Sequence, residues 1–588
     1  MRSAGFWIVA CFTFALMAAA LELNKSQPWG FIALAVLTAG YLLLGGKVLG
    51  ESKWYLKLGA WLLWALLFAG LFMLAWPKTK PVPAAEGKNP ARTEVITTAQ
   101  GQVRGVVTQD GAVEVFAGIP YAKPPVGELR WRAPEDPEPR EGVLEADSFA
   151  PMSMQPVGMP LIDSLKQIFG YHDYKITLRD NYAAPVSEDA LYLNIWRPAG
   201  ASGKLPVLVY IHGGSLQTGQ PWWGDYSGEG LAREGVIVVN MGYRLGVFGF
   251  LASEELMAES GTTGNYGLLD QIKALEWVRD NIAAFGGDPD NVTLAGESAG
   301  AACVSALCTS PKAAGLFRRA IMESSTVASK VPPHSYRQLE EAYSSCAELM
   351  ERYGCKTMDE LRAIPAEKLV NEAYTQHHIT VDGCVLTEDP YESYKKGVHN
   401  EEAVLHGYNR EESAAFILFT KTNLKSFEAK VRGAFGEYAD EVLALYPVKT
   451  DAEADKAWAE IWGALFFDHS HYSLNRLLAE NGVPAYEYFF TKQNGRLGAW
   501  HSGEEIYFYG NLGEPARLFT ERDRELERQM TAYFVNFIKC GDPNGEGLPL
   551  WPENSSSEDL MELGEETRPV KEKKLALYAI IDRMNGEE

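Results

Sequence analysis

Cysteine is scarce in this chain of 588 residues: seven in all, with no C-x-x-C pair, which excludes a disulfide-built scaffold and a thioredoxin-like redox motif. Cys346 and Cys355 flank one expected helical turn, and the spacing leaves both a disulfide and two separate thiols open. The ten histidines show no metal-ligand spacing, so no metal site is predicted. Positive charge is short as well. The net charge is −23, and because the first eighty residues hold seven basic and two acidic side chains, the remainder carries −28. That balance excludes nucleic acid as a partner. There is neither an internal repeat nor a long low-complexity tract.

What is present changes character near residue 80. Three apolar runs, about Ala4 to Leu23, Phe31 to Leu49 and Trp54 to Trp76, each approach the roughly 20 residues that cross a bilayer as helix, and three transmembrane helices are predicted. A cleaved leader is the alternative for the first run, since Arg2 precedes it and Met17-Ala18-Ala19-Ala20 offers small residues near its end. Lys47, Lys53 and Lys57, with Arg2, favour a cytoplasmic N-terminus and second loop, although Lys25, Lys78 and Lys80 lie on the other side. Everything after Trp76 is then expected outside the cytoplasmic membrane. Residues 1–77 read as a membrane anchor and the Pro- and Lys-rich stretch 78–93 as an extended linker. Residues 94–588 have a globular composition.

The segment "VTLAGESAGAACVSAL" pairs a buried strand with the start of a helix, and Ser298 falls on the turn between them. Gly-x-Ser-x-Gly is short enough to occur by chance, and an ordinary Gly/Ser turn is the alternative. A sharp strand-to-helix turn, however, forces the serine into a strained conformation and needs glycine on both sides, where strand and helix pass too closely for a side chain. A serine hydroxyl needs a base, and the base needs a carboxylate. Downstream, a buried strand from Ala403 leads into the acidic pair Glu411 and Glu412, between which the pattern does not choose. His469 and His471 lie in a helical apolar pattern, whereas His501 lies in a glycine-bounded loop after the strand-like Ala485 to Phe490. The run Val207 to Ile211 ends in His212-Gly213-Gly214-Ser215, whose exposed backbone N–H groups, with that of Ala299, suit an oxyanion hole.

From about Glu94 to about Arg583 the sequence resembles the type-B carboxylesterases. The match is carried by "FGGDPDNVTLAGESAG" (285–300), "EDALYLNIW" (188–196), "FAGIPYAKPPVGELRW" (116–131) and "GDPNGEGLPLWP" (541–552). The resemblance implies an α/β-hydrolase fold, a mostly parallel sheet flanked by helices, and a cofactor-free serine esterase acting on a small-molecule ester through an acyl-enzyme. It implies Ser298 as nucleophile, His501 as base and Glu412 as acid. It places the oxyanion donors on Gly214, Ser215 and Ala299, and a supporting role on Glu504. Ser215 stands where glycine or alanine is usual, Ser413 where glycine follows the acid, and Ala190 where the family has a cysteine whose partner region here reads "APMSMQ". The family's first disulfide is therefore missing. Two other readings are a catalytically inactive adhesion protein on the same fold, disfavoured by the intact triad, and a peptidase. Trp222, Trp223, Tyr226 and Trp500 are candidate pocket aromatics; the role of 152–185, the ester and the oligomeric state are left open.

Overall fold

The computed structural model describes residues 4–47, 52–79, 82–87, 89–157, 160–170, 182–330, 336–370, 378–418, 420–513, 519–553 and 558–587. Arg2 and Lys80, two of the charges in the orientation argument, lie outside the described residues, as do parts of the predicted linker and of the stretch 152–185. The chain divides into two units, one of residues 1–82 with 157–185, the other of 83–156 with 186–588.

The first unit is built on helices α1 (Ala4–Leu23), α2 (Pro28–Lys47) and α3 (Trp54–Leu74), with the shorter α4 (Pro160–Gly170) against α1. Among the described residues two of them, over Phe6–Leu23 and Trp54–Leu74, are long and apolar enough to cross a membrane, and α2 carries a described apolar stretch over Pro28–Leu44. Of the three expected spans, two meet the requirement among the described residues. Inside the bundle Tyr41 stacks on Trp64 at 4.5 Å, and Trp61 Nε1 donates to Thr13 Oγ1 at 3.2 Å. Outside it, Ile8, Phe12, Ile32, Val36, Leu66 and Leu74 are exposed.

In the second unit the described residues form an eleven-stranded sheet. In chain order its strands are β1 (Val106–Val107), β2 (Val113–Pro120), β3 (Tyr192–Pro198), β4 (Leu205–Ile211), β5 (Ile237–Met241), β6 (Gly287–Glu297), β7 (Arg319–Glu323), β8 (Val404–Asn409), β9 (Ala485–Phe490), β10 (Asp559–Leu563) and β11 (Thr567–Lys571). Across the sheet they run β11-β10-β9-β8-β7-β6-β4-β5-β3-β2-β1. From β10 to β5 all neighbours are parallel, and antiparallel strands close both edges. Such a sheet must be covered on both faces, so its strands are apolar throughout instead of alternating. On β4, Val207, Val209 and Ile211 join the core that includes α5 (Tyr266–Asn281) and α6 (Ala299–Cys308). Tyr210 points the other way. It meets Tyr509 at 5.3 Å, which in turn meets Phe534 of α9 (Glu521–Cys540) at 5.4 Å, with the long helices α7 (Asp451–Gly463) and α8 (His469–Glu480) preceding α9 in the chain.

Because the central strands are parallel, their carboxyl ends share one edge, where an open α/β sheet keeps its loops for chemistry. β4 ends at His212, β6 at Ser298, β8 shortly before Glu412, and β9 before the loop to His501.

Candidate active site

Ser298 occupies the turn from β6 into α6 with φ 55° and ψ −125°, a left-handed backbone that a residue with a side chain adopts only under constraint. The constraint is visible. Its N–H donates to the Glu323 carbonyl at 2.8 Å, and a Cβ on Gly300 would run into the Ile211 carbonyl of β4. A Cβ on Gly296 would likewise strike the Gly300 backbone, so helix and strand touch where the glycines stand.

His501 lies between two partners. Its Nε2 is 2.8 Å from Ser298 Oγ, and its Nδ1 is 2.6 Å from Glu412 Oε2. All three side chains are buried. Glu412 Oε1 accepts the Asn409 N–H at 2.7 Å, and burial pushes its carboxyl well above the usual range while that N–H pulls it back. Glu411 faces elsewhere: it accepts from Arg410 Nε and from the Ala499 N–H, both at 2.8 Å. His469 and His471 are on α8 and meet neither Ser298 nor His501. His469 Nε2 pairs with Asp582 at 2.8 Å, and His471 Nδ1 sits 3.2 Å from His406 Nδ1, where burial keeps both imidazoles from charging. Glu504 is fully buried and accepts from Ser324 at 3.0 Å, from Tyr488 at 3.2 Å and from the Asn409 amide, which also donates to the Trp500 carbonyl at 2.8 Å. Glu504 thus joins the loop of Glu412 to the loop of His501.

The loop after β4 holds Gly214, Ser215 and Leu216 at φ 108°, 56° and 58°. Among the described residues no protein hydrogen bond takes up the N–H of Gly214, Ser215 or Ala299. Ala299 opens α6, so its N–H has no partner within the helix. His212 is buried and held neutral, its imidazole pushed down to about 4 by burial, with Nδ1 2.9 Å from the Gly213 carbonyl.

Glu297 escaped the sequence reading. Its Oε1 is 3.2 Å from His501 Nε2 and accepts from Ser502 at 2.6 Å, and burial lifts its carboxyl to about 7. An acid immediately before Ser298 was visible; what it would face was not. The aromatic candidates are rearranged too. Trp222 donates to the Ala150 carbonyl at 3.2 Å and stacks on Phe149, and Tyr226 is buried with its hydroxyl on the Gln220 carbonyl at 2.7 Å. Beside His501 lie Phe467 at 4.6 Å and the half-exposed Phe416 at 5.1 Å, with Trp462 and Phe466 stacked on each other next to them. Phe466 and Phe467 lie on a single π-helical turn, Ala464–Asp468, between α7 and α8, an irregularity frequent at functional sites. Cys346 and Cys355 are both free thiols.

This geometry lets a hydroxyl pass its proton to an oriented imidazole beside unpaired N–H donors, which is the chemistry of acyl transfer. Residues 92–578 match the profile of the Carboxylesterase family. The chain belongs to that family. The fumonisin B1 esterase of Sphingopyxis macrogoltabida is 35% identical to this carboxylesterase over 485 residues, 79% of this chain and 86% of that protein. The para-nitrobenzyl esterase of Bacillus subtilis (strain 168) is 32% identical over 522 residues, 82% and 98% respectively. A solved PNB esterase structure matches with a TM-score of 0.69 at 30% identity, covering 83% of this chain and 99% of that one. The fold is therefore that of the α/β-hydrolase carboxylesterases, and the protein is a carboxylic ester hydrolase of the serine type.

Proposed function

We propose that Ser298 is the nucleophile of this esterase, with His501 as its base and Glu412 as the acid that orients the imidazole. The observation that carries this reading is the unbroken line Ser298 Oγ, His501 Nε2, His501 Nδ1, Glu412 Oε2, with steps of 2.8 and 2.6 Å. Ser298 attacks the ester carbonyl while His501 takes its proton. The oxygen that becomes negative is received by the N–H groups of Gly214, Ser215 and Ala299, which need no reorganisation to receive it. His501 returns the proton to the departing alcohol, and water repeats the sequence on the acyl-enzyme. Glu504 supports the site by holding Asn409, whose own N–H fixes Glu412.

The N-terminal helices anchor the enzyme in a bilayer, with residues 94–588 forming the esterase domain outside the cytoplasmic membrane. The exposed Ile8, Phe12, Ile32, Val36, Leu66 and Leu74 support the anchoring, because an apolar outer surface on a helical bundle is stable in lipid and costly in water, and counting α2 as the third span, with Lys53 and Lys57 on the cytoplasmic side after it, puts the esterase domain outside. The substrate is a small carboxylic ester, and the aromatic rings beside His501 favour one with an apolar acyl or alcohol group. The test is Ser298→Ala: ester hydrolysis and covalent labelling by a fluorophosphonate are both lost while the unfolding temperature is retained. Activity above a few per cent in the purified variant refutes the assignment. Protease added to intact cells tests the topology by cutting near residues 77–92, and protection until lysis refutes it.

A further inference from the structure

The loop proposed to hold the oxyanion is strained, and something must hold it in place. Ser215 and Leu216 are consecutive residues with side chains at φ 56° and 58°, each in a conformation that persists only where the surroundings over-determine it. Part of the constraint is internal: the Gln217 and Thr218 N–H groups both donate to the Gly214 carbonyl, at 3.0 and 2.9 Å. Part comes from the Gly246 N–H, which donates to the Leu216 carbonyl at 2.6 Å. The far end of the loop is Gly219, at φ 119°, packed so closely on His212 and Gly213 that a Cβ there would run into the imidazole.

Gly219 is gripped from outside by one side chain. Gln155 Nε2 donates to the Gly219 carbonyl at 2.7 Å, and Gln155 Oε1 accepts the Gly219 N–H at 2.9 Å, so one planar amide satisfies both main-chain groups of that residue. Gln155 is itself buried and braced, its Nε2 also donating to the Ser153 carbonyl at 3.1 Å. Ser153 Oγ donates to the Tyr243 carbonyl at 2.6 Å, and the Tyr243 hydroxyl donates to the His212 carbonyl at 2.9 Å. Residues 153 and 155 therefore pin both ends of the loop His212–Gly219. They sit where the chain leaves the second unit at Val157, on a stem closed by the short parallel pair Met152–Ser153 with Val186–Ser187. All the cysteines of the chain are free thiols and none lies in this stem, so no disulfide closes it. Hydrogen bonds have to do the fixing.

We propose that Gln155 is a positioning residue that sets the oxyanion donors of Gly214 and Ser215 through its double hydrogen bond to Gly219. This rests on the reading of that loop as the oxyanion hole. Gln155 touches no reacting atom. Its contribution is the sub-ångström placement of N–H groups that bind the transition state better than the substrate, so its loss lowers kcat and spares KM.

The test uses the full-length enzyme in detergent or bilayer. Gln155→Met keeps length and volume and removes both hydrogen bonds; Gln155→Glu keeps the acceptor for the Gly219 N–H and loses the donor. The probes are an aryl trifluoromethyl ketone, which adds to the serine as a tetrahedral hemiketal, and its methyl ketone counterpart, which stays trigonal. In Gln155→Met kcat falls by about 10- to 100-fold, KM changes by less than roughly threefold, and the fluorinated ketone weakens in step with kcat while the methyl ketone does not. Gln155→Glu falls between it and the wild type. A kcat within roughly threefold of wild type in both folded variants, or equal weakening of the two ketones, overturns the proposal. Gly214→Ala separates it from the reading beneath it, because a Cβ there would run into the Thr218 carbonyl and shift the donors directly. If Gly214→Ala is impaired and Gln155→Met is not, Gln155 is merely structural; if Gly214→Ala is fully active, the oxyanion reading itself falls, and the proposal with it.

Discussion

Replacing Glu412 by glutamine exchanges one oxygen for an NH₂ group at the end of the proposed triad. In the native site Glu412 Oε2 is 2.6 Å from His501 Nδ1 and Oε1 is committed to the Asn409 N–H at 2.7 Å. A glutamine must keep its carbonyl oxygen on Asn409, because that N–H has no other acceptor at hand, and so it turns its NH₂ toward Nδ1. An imidazole that accepts at Nδ1 carries its proton on Nε2, where it faces Ser298 as a donor and cannot take the serine proton. The loss expected for such a tautomer reversal is about 10⁴-fold in kcat, or about 5 kcal/mol of transition-state stabilisation. The shape is unchanged, so the unfolding temperature stays near wild type. Glu411→Gln is the control: its partners are Arg410, in a half-exposed pair worth at most about 1 kcal/mol, and the Ala499 N–H, which an amide oxygen still satisfies. Steady-state turnover of one soluble ester by both variants is sufficient. A crippled Glu411→Gln beside a healthy Glu412→Gln refutes the reasoning.

Three further outcomes are expected. Phe416→Ala removes a half-exposed ring 5.1 Å from His501, so KM for esters with bulky apolar groups rises roughly tenfold, the equivalent of about 1–2 kcal/mol of lost apolar contact, with little change for a small acetate ester or in thermal stability; equal effects on both esters refute it. Glu297 ionises near 7 in the folded protein against 4.5 when free, so the folded state holds the extra proton between those values and its stability is lost as pH rises through them; Glu297→Gln removes the effect, and the variant's unfolding temperature gains on wild type from pH 5 to pH 8, a constant difference counting against it. Gly300→Ala places a methyl against the Ile211 carbonyl and costs about 1–3 kcal/mol of stability, with a fall in turnover as α6 carries Ser298 away from β4; an unchanged melting curve contradicts the close approach.

The features legible in the sequence are those whose causes are local. The turn at Ser298 follows from glycines at 296 and 300 between a β-branched strand and a small-residue helix, and the run from Val207 into His212-Gly213-Gly214 announces a strand ending in open N–H groups. The helical pattern around His469 and His471 likewise read them as packed or surface residues of a helix, and α8 holds both of them buried, His471 against His406 of β8. Length and apolarity could also be counted, and three apolar helices stand before residue 77, two of them long and apolar enough among the described residues to span a bilayer.

Everything that depends on which segments meet was decided by the tertiary structure. Ser298 and His501 are 203 residues apart, and His501 and Glu412 are 89 apart. No local pattern distinguishes Glu412 from Glu411, because successive residues at a turn point in different directions and only the sheet order β6-β7-β8-β9 selects the one that faces His501. The same holds for Glu297 beside His501, for the rings of Phe416 and Phe467 against the same imidazole, and for Gln155, whose partner Gly219 lies 64 residues downstream. A side chain's chemistry is written in its own residue type, but its role is set by what the fold brings within hydrogen-bonding distance, a property of pairs that one-dimensional periodicity does not contain.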